Sequence, residues 1–364
     1  MSLRPPIIEA LRKETADFTK RKIKAGQFGT PFGLPEYELL QTHPANYFMK
    51  LEHSKPMPRM LFGSLWFERE LCILFADTNL GKSVLAVQIA DSITKAYTID
   101  PFSNQADECP KVLYVDFELS GKQFQIRYYD PKWGSYLFSE QFFRAQFNPL
   151  GDDPVIHNNK YEDYIKMAIG KAVKASQASV LIIDNITYMC RGTEKAKDAT
   201  PLMKMLKALK TKHNLSVLVL AHTPKRSPHK PLTVNDLQGS KMLINFADSA
   251  FAIGQSSVNP ATRYIKQIKQ RSAREEYGET NVCLITQEMK LNFLQYNFIG
   301  HDHEQNHLHR PIPTDTALLR QQVHTLHQQG HSNRHIGRRL GIHHATVAGI
   351  LEKGFENESL EVKD

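Results

Sequence analysis

Cysteine is scarce in this chain: four residues in 364, Cys72, Cys109, Cys190 and Cys283, with no metal-ligand spacing among them. That excludes a disulfide-built secreted scaffold and a cysteine zinc site, and reads as reduced structural thiols. Long apolar runs are lacking too. None approaches the roughly 18–20 residues a membrane helix needs, so no membrane span is expected. The opening Met1-Ser2-Leu3-Arg4-Pro5-Pro6 has nothing of a secretory leader's apolar stretch. These absences together point to a cytoplasmic protein. Acid is outnumbered, 38 Asp and Glu against 46 Lys and Arg, which leaves a net charge of +8. That balance suits an anionic partner such as nucleic acid, without identifying one. Hydrophobic residues at 41% and charged residues at 23% are ordinary for a globular protein. The length suffices for two or three domains with at least one large core.

Residues 1–60 read as an N-terminal appendage able to serve as a subunit contact. Pro5–Lys24 has the spacing of a charged helix, and the Gly- and Pro-rich Gly26–Pro35 stretch reads as a loop. Over residues 61–300 apolar strand patterns alternate with helical ones. The expected strands are Leu71–Ala76, Lys111–Glu118, Val180–Asp184, Leu215–Ala221 and Ala247–Ile253; helices are expected at Lys82–Tyr97, Tyr161–Ser176 and Pro201–His213. Alternation of this kind predicts an α/β fold with a mostly parallel central sheet covered on both faces. Tyr264–Lys269, Val282–Gln287 and Leu291–Phe298 read as a closing antiparallel edge. Residues 301–313 are polar and end in Arg310-Pro311-Ile312-Pro313, a linker signature. The histidines within them are read as part of that linker rather than as metal ligands. Residues 314–354 form a small all-α unit, and residues 355–364 a tail.

The strongest motif is Ala76-Asp77-Thr78-Asn79-Leu80-Gly81-Lys82-Ser83, with Val84 next. It follows an apolar strand and opens an amphipathic helix, the context a phosphate-binding loop requires. Backbone amides at a helix start face phosphates, and Gly81 lets the backbone approach closely. Lys82 is expected on the β- and γ-phosphates of ATP and the Ser83 hydroxyl on Mg²⁺. Ala76 stands where such loops usually begin with glycine. Asp184, closing the apolar strand Val180–Asp184, is the expected partner of the Mg²⁺ shell. Asn185 follows it, where many ATPases of the AAA+ class keep a water-activating glutamate. The base is sought at Glu118, at the end of the strand after the phosphate-loop helix, because the chain here resembles the RecA-like ATPases, whose catalytic carboxylate comes from that strand end. In the RecA-like ATPases, which this arrangement resembles, the end of such a strand reports the γ-phosphate state, and the resemblance implies that His222, at the end of Leu215–Ala221, is the sensor.

These motifs resemble the RecA-like hexameric helicase and ATPase superfamily, and within it the RepA-type replicative ATPases of plasmids and mobile elements. The resemblance spans about Leu61–Phe298. It also rests on Ala221-His222-Thr223-Pro224-Lys225, on Leu237-Gln238-Gly239-Ser240-Lys241, and on Lys269-Gln270-Arg271. It implies a RecA-like P-loop NTPase core, hydrolysis of ATP with Mg²⁺, and a homo-oligomeric ring, with a hexamer expected. It implies that Lys269 and Arg271 reach the nucleotide of a neighbouring subunit. It further implies that single-stranded DNA in a central channel meets Lys225, Arg226, Lys230 and Lys241. A non-unwinding recombinase-like or loader ATPase, and an ATP-switched regulator, remain open beside a helicase.

Residues 314–354 carry a helix-turn-helix pattern. Gly330 stops a first helix, Ser332 or Asn333 caps a second that runs to Leu340, Gly341 turns, and a third begins at His343. The pattern resembles the helix-turn-helix of resolvase-type recombinases. That likeness implies duplex DNA, with His343, His344 and Thr346 at the major groove and Arg334, Arg338 and Arg339 at phosphates. A three-helix protein-interaction unit is the alternative.

Overall fold

A computed structural model of the chain describes residue 40 and residues 42–106, 109–148, 161–189, 196–224, 226–237, 241–309 and 316–358. The helix and loop expected before residue 40 lie outside them, as do Cys190, Lys225, residues 238–240, the 310–313 part of the linker and residues 359–364. The chain divides into two units, Met1–Met57 and Pro58–Asp364. In the first, helix α1 (Ala45–His53) follows Pro44, and the ring of His43 packs on Tyr47 at 4.2 Å.

In the second unit β1 (Met60–Phe62) and β2 (Trp66–Phe67) make a small antiparallel ribbon before β3 (Leu71–Ala76) and helix α2 (Lys82–Lys95). Then follow β4 (Val112–Asp116), α3 (Gly121–Arg127), β5 (Tyr129–Asp130), β6 (Gly134–Ser135), β7 (Phe142–Gln146), α4 (Tyr161–Ser176), β8 (Val180–Asp184), α5 (Ala196–His213) and β9 (Ser216–His222). The series continues with α6 (Lys241–Phe246), β10 (Ser249–Gln255), β11 (Thr262–Lys269), β12 (Val282–Lys290), β13 (Phe293–Asp302), α7 (Thr316–Gln328), α8 (Asn333–Leu340) and α9 (His344–Glu358). Nine strands form one sheet in the order β13-β12-β11-β10-β3-β9-β8-β4-β7. The run from β10 to β7 is parallel, and β11, β12 and β13 add an antiparallel edge. This is the expected α/β fold with a mostly parallel central sheet.

Strand β3 shows why the apolar runs fold this way. All six of its residues are buried. Leu71, Ile73 and Phe75 enter one core with residues of α4 and α5; Cys72, Leu74 and Ala76 enter the other with residues of α2. A strand covered on both faces has no polar side to show, so its sequence is continuously apolar. No helix among the described residues is long and apolar enough to cross a membrane.

The 301–309 segment is built into this unit. His301 and Asp302 finish β13, and Glu304 and His307 are buried. Glu304 Oε1 accepts from the Leu232 amide at 2.7 Å and its Oε2 pairs with Lys266, while His307 Nδ1 lies 2.8 Å from Ser256 Oγ. The polar composition that reads as a linker instead supplies partners for buried polar groups. The closing helices α7, α8 and α9 gather Leu319, Val323, Leu326, Ile336 and Val347 into a separate small core. Ser332 caps α8 by accepting from the His335 amide, and Gly341 ends it in the left-handed conformation at φ 68°.

Candidate active site

Three parallel strands, β3, β8 and β9, and the turn after β4 deliver the predicted residues to one end of the sheet. In the phosphate loop, Asn79 and Gly81 take left-handed backbone angles, φ 65° and 78°. Gly81 is required there, since any larger residue would be strained at that φ and its Cβ would collide with the Tyr296 hydroxyl. Ala76 needs no such freedom. It is the last residue of β3, fully buried against the α2 side of the sheet, and the turn starts only at Asp77. The missing first glycine is thus explained by where the strand ends.

Lys82 opens α2 and folds back over the loop. Its ammonium donates to the Ala76 and Asp77 carbonyls at 3.0 and 3.2 Å and to His222 Nδ1 at 3.1 Å. Burial lowers its pKa, against the pull of Asp184, Glu118 and Asp77. Asp184 ends β8, almost wholly buried. It accepts from the Tyr114 hydroxyl at 2.6 Å and is hydrogen-bonded to Ser83. Burial pushes its carboxyl up to about 6, though the Ser83 and Tyr114 hydrogen bonds favour the charged form. Ser83 and Asp184 together present the oxygen ligands a hard cation takes, so this pair would hold Mg²⁺. Bound there, Mg²⁺ would neutralise charge on the β- and γ-phosphate oxygens.

Glu118 lies two residues beyond β4. Asp116 Oδ1 accepts from the Glu118 and Leu119 amides at 3.0 and 2.8 Å and so shapes the turn that presents Glu118. Arg144 of β7 holds Asp116 Oδ2 through two nitrogens, at 3.0 and 2.8 Å. Asn185 Nδ2 donates to Glu118 Oε1, and the Asn185 Oδ1 accepts from the Thr187 amide at 2.8 Å, which fixes the amide's orientation. His222 Nδ1 accepts from Lys82 at 3.1 Å, and its Nε2 lies 3.0 Å from Asn185 Nδ2 and 3.6 Å from Glu118 Oε1. The His222 contact comes first among the causes that hold the Glu118 carboxyl below its ordinary range, followed by the Lys82 charge and Asn185 against the opposing effect of burial. Glu118 is therefore held toward its ionised form at the same end of the sheet as Lys82 and Asp184, the form a general base needs.

Lys82, Ser83, Glu118, Asp184 and His222 therefore come together. Lys269 and Arg271 do not. The phosphate-loop end of β3, Ala76, pairs with Ile253 and through it with Ile265, whereas Lys269 pairs with Ala250 beside Ile73, toward the start of β3. Lys269 donates to the Ile244 and Ala247 carbonyls at 2.6 and 2.8 Å. Arg271 lies 3.4 Å from Asp248 and has an exposed side chain. Both lie toward the end of the sheet away from the phosphate loop.

Of the expected nucleic-acid contacts, Lys225 and the Lys241 side chain lie outside the described residues. Arg226 turns inward, its Nε 3.4 Å from Asp236, and is only 11% exposed, while Lys230 is exposed. Arg334, Arg338, Arg339, His343, His344 and Thr346 are all exposed. Arg334, Arg338, His343 and His344 line a cavity of about 310 Å³ together with Gly337 and Ile342.

The sequence reading missed Tyr114, Asp116, Arg144 and the role of Asn185. Asp116 had a local signal, an Asp two residues before the carboxylate it presents. Tyr114 and Arg144 had none, because their contacts cross strands.

A solved KaiC-like protein from the hyperthermophilic archaeon Pyrococcus horikoshii OT3 is 15% identical over 64% of this chain and 90% of that one, with a TM-score of 0.41. No curated protein matches the chain. A family model described as an AAA domain matches residues 38–228, just over half of the 364, and the chain belongs to this AAA domain family of P-loop ATPases.

Proposed function

We propose that this ATPase is a DNA-acting motor of the RepA replicative type, serving a plasmid or mobile element and hydrolysing ATP at the subunit interfaces of a ring, with a hexamer as the expected size. The observation that carries the hydrolytic part is the meeting of Lys82, Ser83, Asp184 and Glu118 at one end of the sheet, with His222 touching both Lys82 and Glu118. Lys82 and the loop amides bind the phosphates, Ser83 and Asp184 hold Mg²⁺, and Glu118 orients water for in-line attack. His222 links the γ-phosphate end of the site to the strand end that leads into the basic 223–237 loop.

In this reading Arg271, exposed at the far end of the sheet, completes the site of a neighbour. Lys269 steadies the α6 end beside it through the Ile244 and Ala247 carbonyls. Lys230, with Lys225 and Lys241, contacts single-stranded DNA in the channel. Helices α8 and α9 meet duplex DNA through Arg334, Arg338, Arg339, His343, His344 and Thr346, on the exposed side of their small core.

The deciding experiment is ATP turnover with and without single-stranded DNA, beside native mass. Stimulated turnover by an oligomer is expected. Turnover indifferent to DNA, by a monomer, would overturn the motor reading and leave an ATPase of another purpose.

A further inference from the structure

Tyr296, on β13, sits far from the phosphate loop in sequence and directly against it in space. Its hydroxyl donates to the Leu80 carbonyl at 2.7 Å. The same oxygen accepts from Arg263 Nη1 at 2.7 Å, and Arg263 Nη1 is also 2.8 Å from Gln287 Oε1. The chain of donors therefore runs one way, from the guanidinium through the phenol to the loop. Gln88, on the second turn of α2, clasps the Tyr296 backbone from the other side: its Nε2 donates to the Tyr296 carbonyl and its Oε1 accepts from the Tyr296 amide, both at 2.9 Å. Tyr296 and Gln88 are each only 3% exposed. Burial pushes the Tyr296 phenol up to about 12, so it stays a donor at neutral pH.

The consequence follows from peptide geometry. The Leu80 carbonyl and the Gly81 N–H belong to one planar trans unit and point in opposite directions. Holding the carbonyl on Tyr296 aims the Gly81 N–H away from Tyr296. Gly81, with no Cβ and φ 78°, is the loop residue with the most freedom to turn otherwise. A phosphate loop binds through just such aligned amides. A flip of the Leu80–Gly81 peptide would replace a donor by a carbonyl oxygen facing the phosphates.

We infer that Tyr296 and Arg263 form a latch on the phosphate loop: positioning residues that hold the Gly81 amide in the orientation that binds nucleotide. The inference rests on the ATP-site reading above and adds the distant antiparallel edge to it. Because the aligned amide meets nucleotide in ground and transition states alike, the latch acts on affinity more than on the chemical step.

The test uses the full chain with Tyr296→Phe, Arg263→Met and the double variant, reading steady-state ATP–Mg²⁺ turnover, ADP–Mg²⁺ affinity and melting temperature. Tyr296→Phe keeps the ring and removes the hydroxyl, so the fold should survive. Its KM for ATP–Mg²⁺ and its Kd for ADP–Mg²⁺ should each rise about fivefold, the order one lost hydrogen bond carries, with kcat changed by less than about twofold. Arg263→Met should raise both by a similar or smaller factor, and Arg263→Lys, which keeps a charged donor, should recover part of the loss. The double variant should be no worse than Tyr296→Phe, because both changes interrupt one chain of donors. Unchanged KM and ADP affinity in Tyr296→Phe, even with a lowered melting temperature, would overturn the latch, as would losses that simply add. Lys82→Ala in the same assays separates the two readings. If it turns over ATP normally the site itself is misassigned; if it is inactive while Tyr296→Phe is unaltered, only the latch fails.

Discussion

Asn185 donates a hydrogen bond from Nδ2 to Glu118 Oε1, joining the residue after Asp184, proposed for the Mg²⁺ shell, to the residue proposed as general base, 67 positions earlier in the chain. The amide is oriented by Thr187, so it holds the carboxylate rather than following it. Asn185→Ala removes that restraint while leaving the nucleotide's own contacts in place. We expect kcat to fall about tenfold, within the range for a misplaced general base, with KM changed by less than about twofold. Steady-state kinetics decide it; an unchanged kcat would mean that Asp116 and Arg144 alone position Glu118.

Glu118→Gln keeps the shape and the Asn185 contact of the side chain but not its basicity. It should bind ATP–Mg²⁺ with near-normal affinity and hydrolyse it on the order of a hundredfold more slowly. Equilibrium binding and single-turnover hydrolysis together are the check, and near-normal turnover would place the base elsewhere.

The Asp184 carboxyl, pushed up to about 6 by burial, gives a pH dependence with a definite sign. Mg²⁺ binds the ionised form, so below about pH 6 each Mg²⁺ bound must release one proton and apparent Mg²⁺ affinity should fall about tenfold per pH unit. Above that range it should be flat. The Tyr114 hydroxyl, 2.6 Å from Asp184, favours the ionised form. Tyr114→Phe should therefore move the midpoint upward, toward neutral pH. Mg²⁺ titrations of nucleotide binding between pH 5 and 8, about the window around that midpoint, would show it. A midpoint that stays put or moves down contradicts the assignment.

Much of this was legible in the sequence, and the reason lies in burial. Strands β3 and β8 match their expected bounds because their every residue is buried, which leaves an unbroken apolar run between polar ends. The caps of α8, Ser332 and Gly341, were equally readable because each acts on neighbours in the chain. Strand β7 was not. Its residues are half-buried or exposed, and Arg144 at its centre exists for Asp116, a partner on another strand. Helix α5 was expected to start at Pro201 and starts at Ala196, so proline lies inside it rather than at its first position. At the site, Lys82, Ser83 and Asp184 announce themselves by local motif, whereas Tyr296 reaches Leu80 across 216 positions and leaves no local trace.

Arg271 is exposed and lies at the opposite end of the sheet from its own phosphate loop. Arg271→Ala should bind nucleotide and lose roughly a thousandfold in turnover, the scale of a guanidinium supplied across an interface. Mixed with Lys82→Ala protein, each inactive alone, it should regain part of the activity wherever an intact Lys82 meets an intact Arg271. No recovery in confirmed mixed assemblies would rule out the trans role.

Deleting residues from 314 onward removes α7, α8 and α9 with their separate core. Basal ATPase activity should persist, and duplex DNA affinity should fall with a shallower dependence on salt, since phosphate contacts are lost. Titrations at several salt concentrations test this; unchanged affinity and slope would make these helices a protein-interaction unit.

The central claim is that ATP is bound and hydrolysed where Lys82, Asp184 and Glu118 meet, and Lys82→Ala tests it most directly. Lys82 is the cation of the loop, free to leave the Ala76 and Asp77 carbonyls for a phosphate. The measurement is steady-state ATP hydrolysis by Lys82→Ala beside the unaltered chain, with folding checked by melting temperature. The account predicts a folded protein whose turnover falls to background; turnover at the unaltered rate would contradict it.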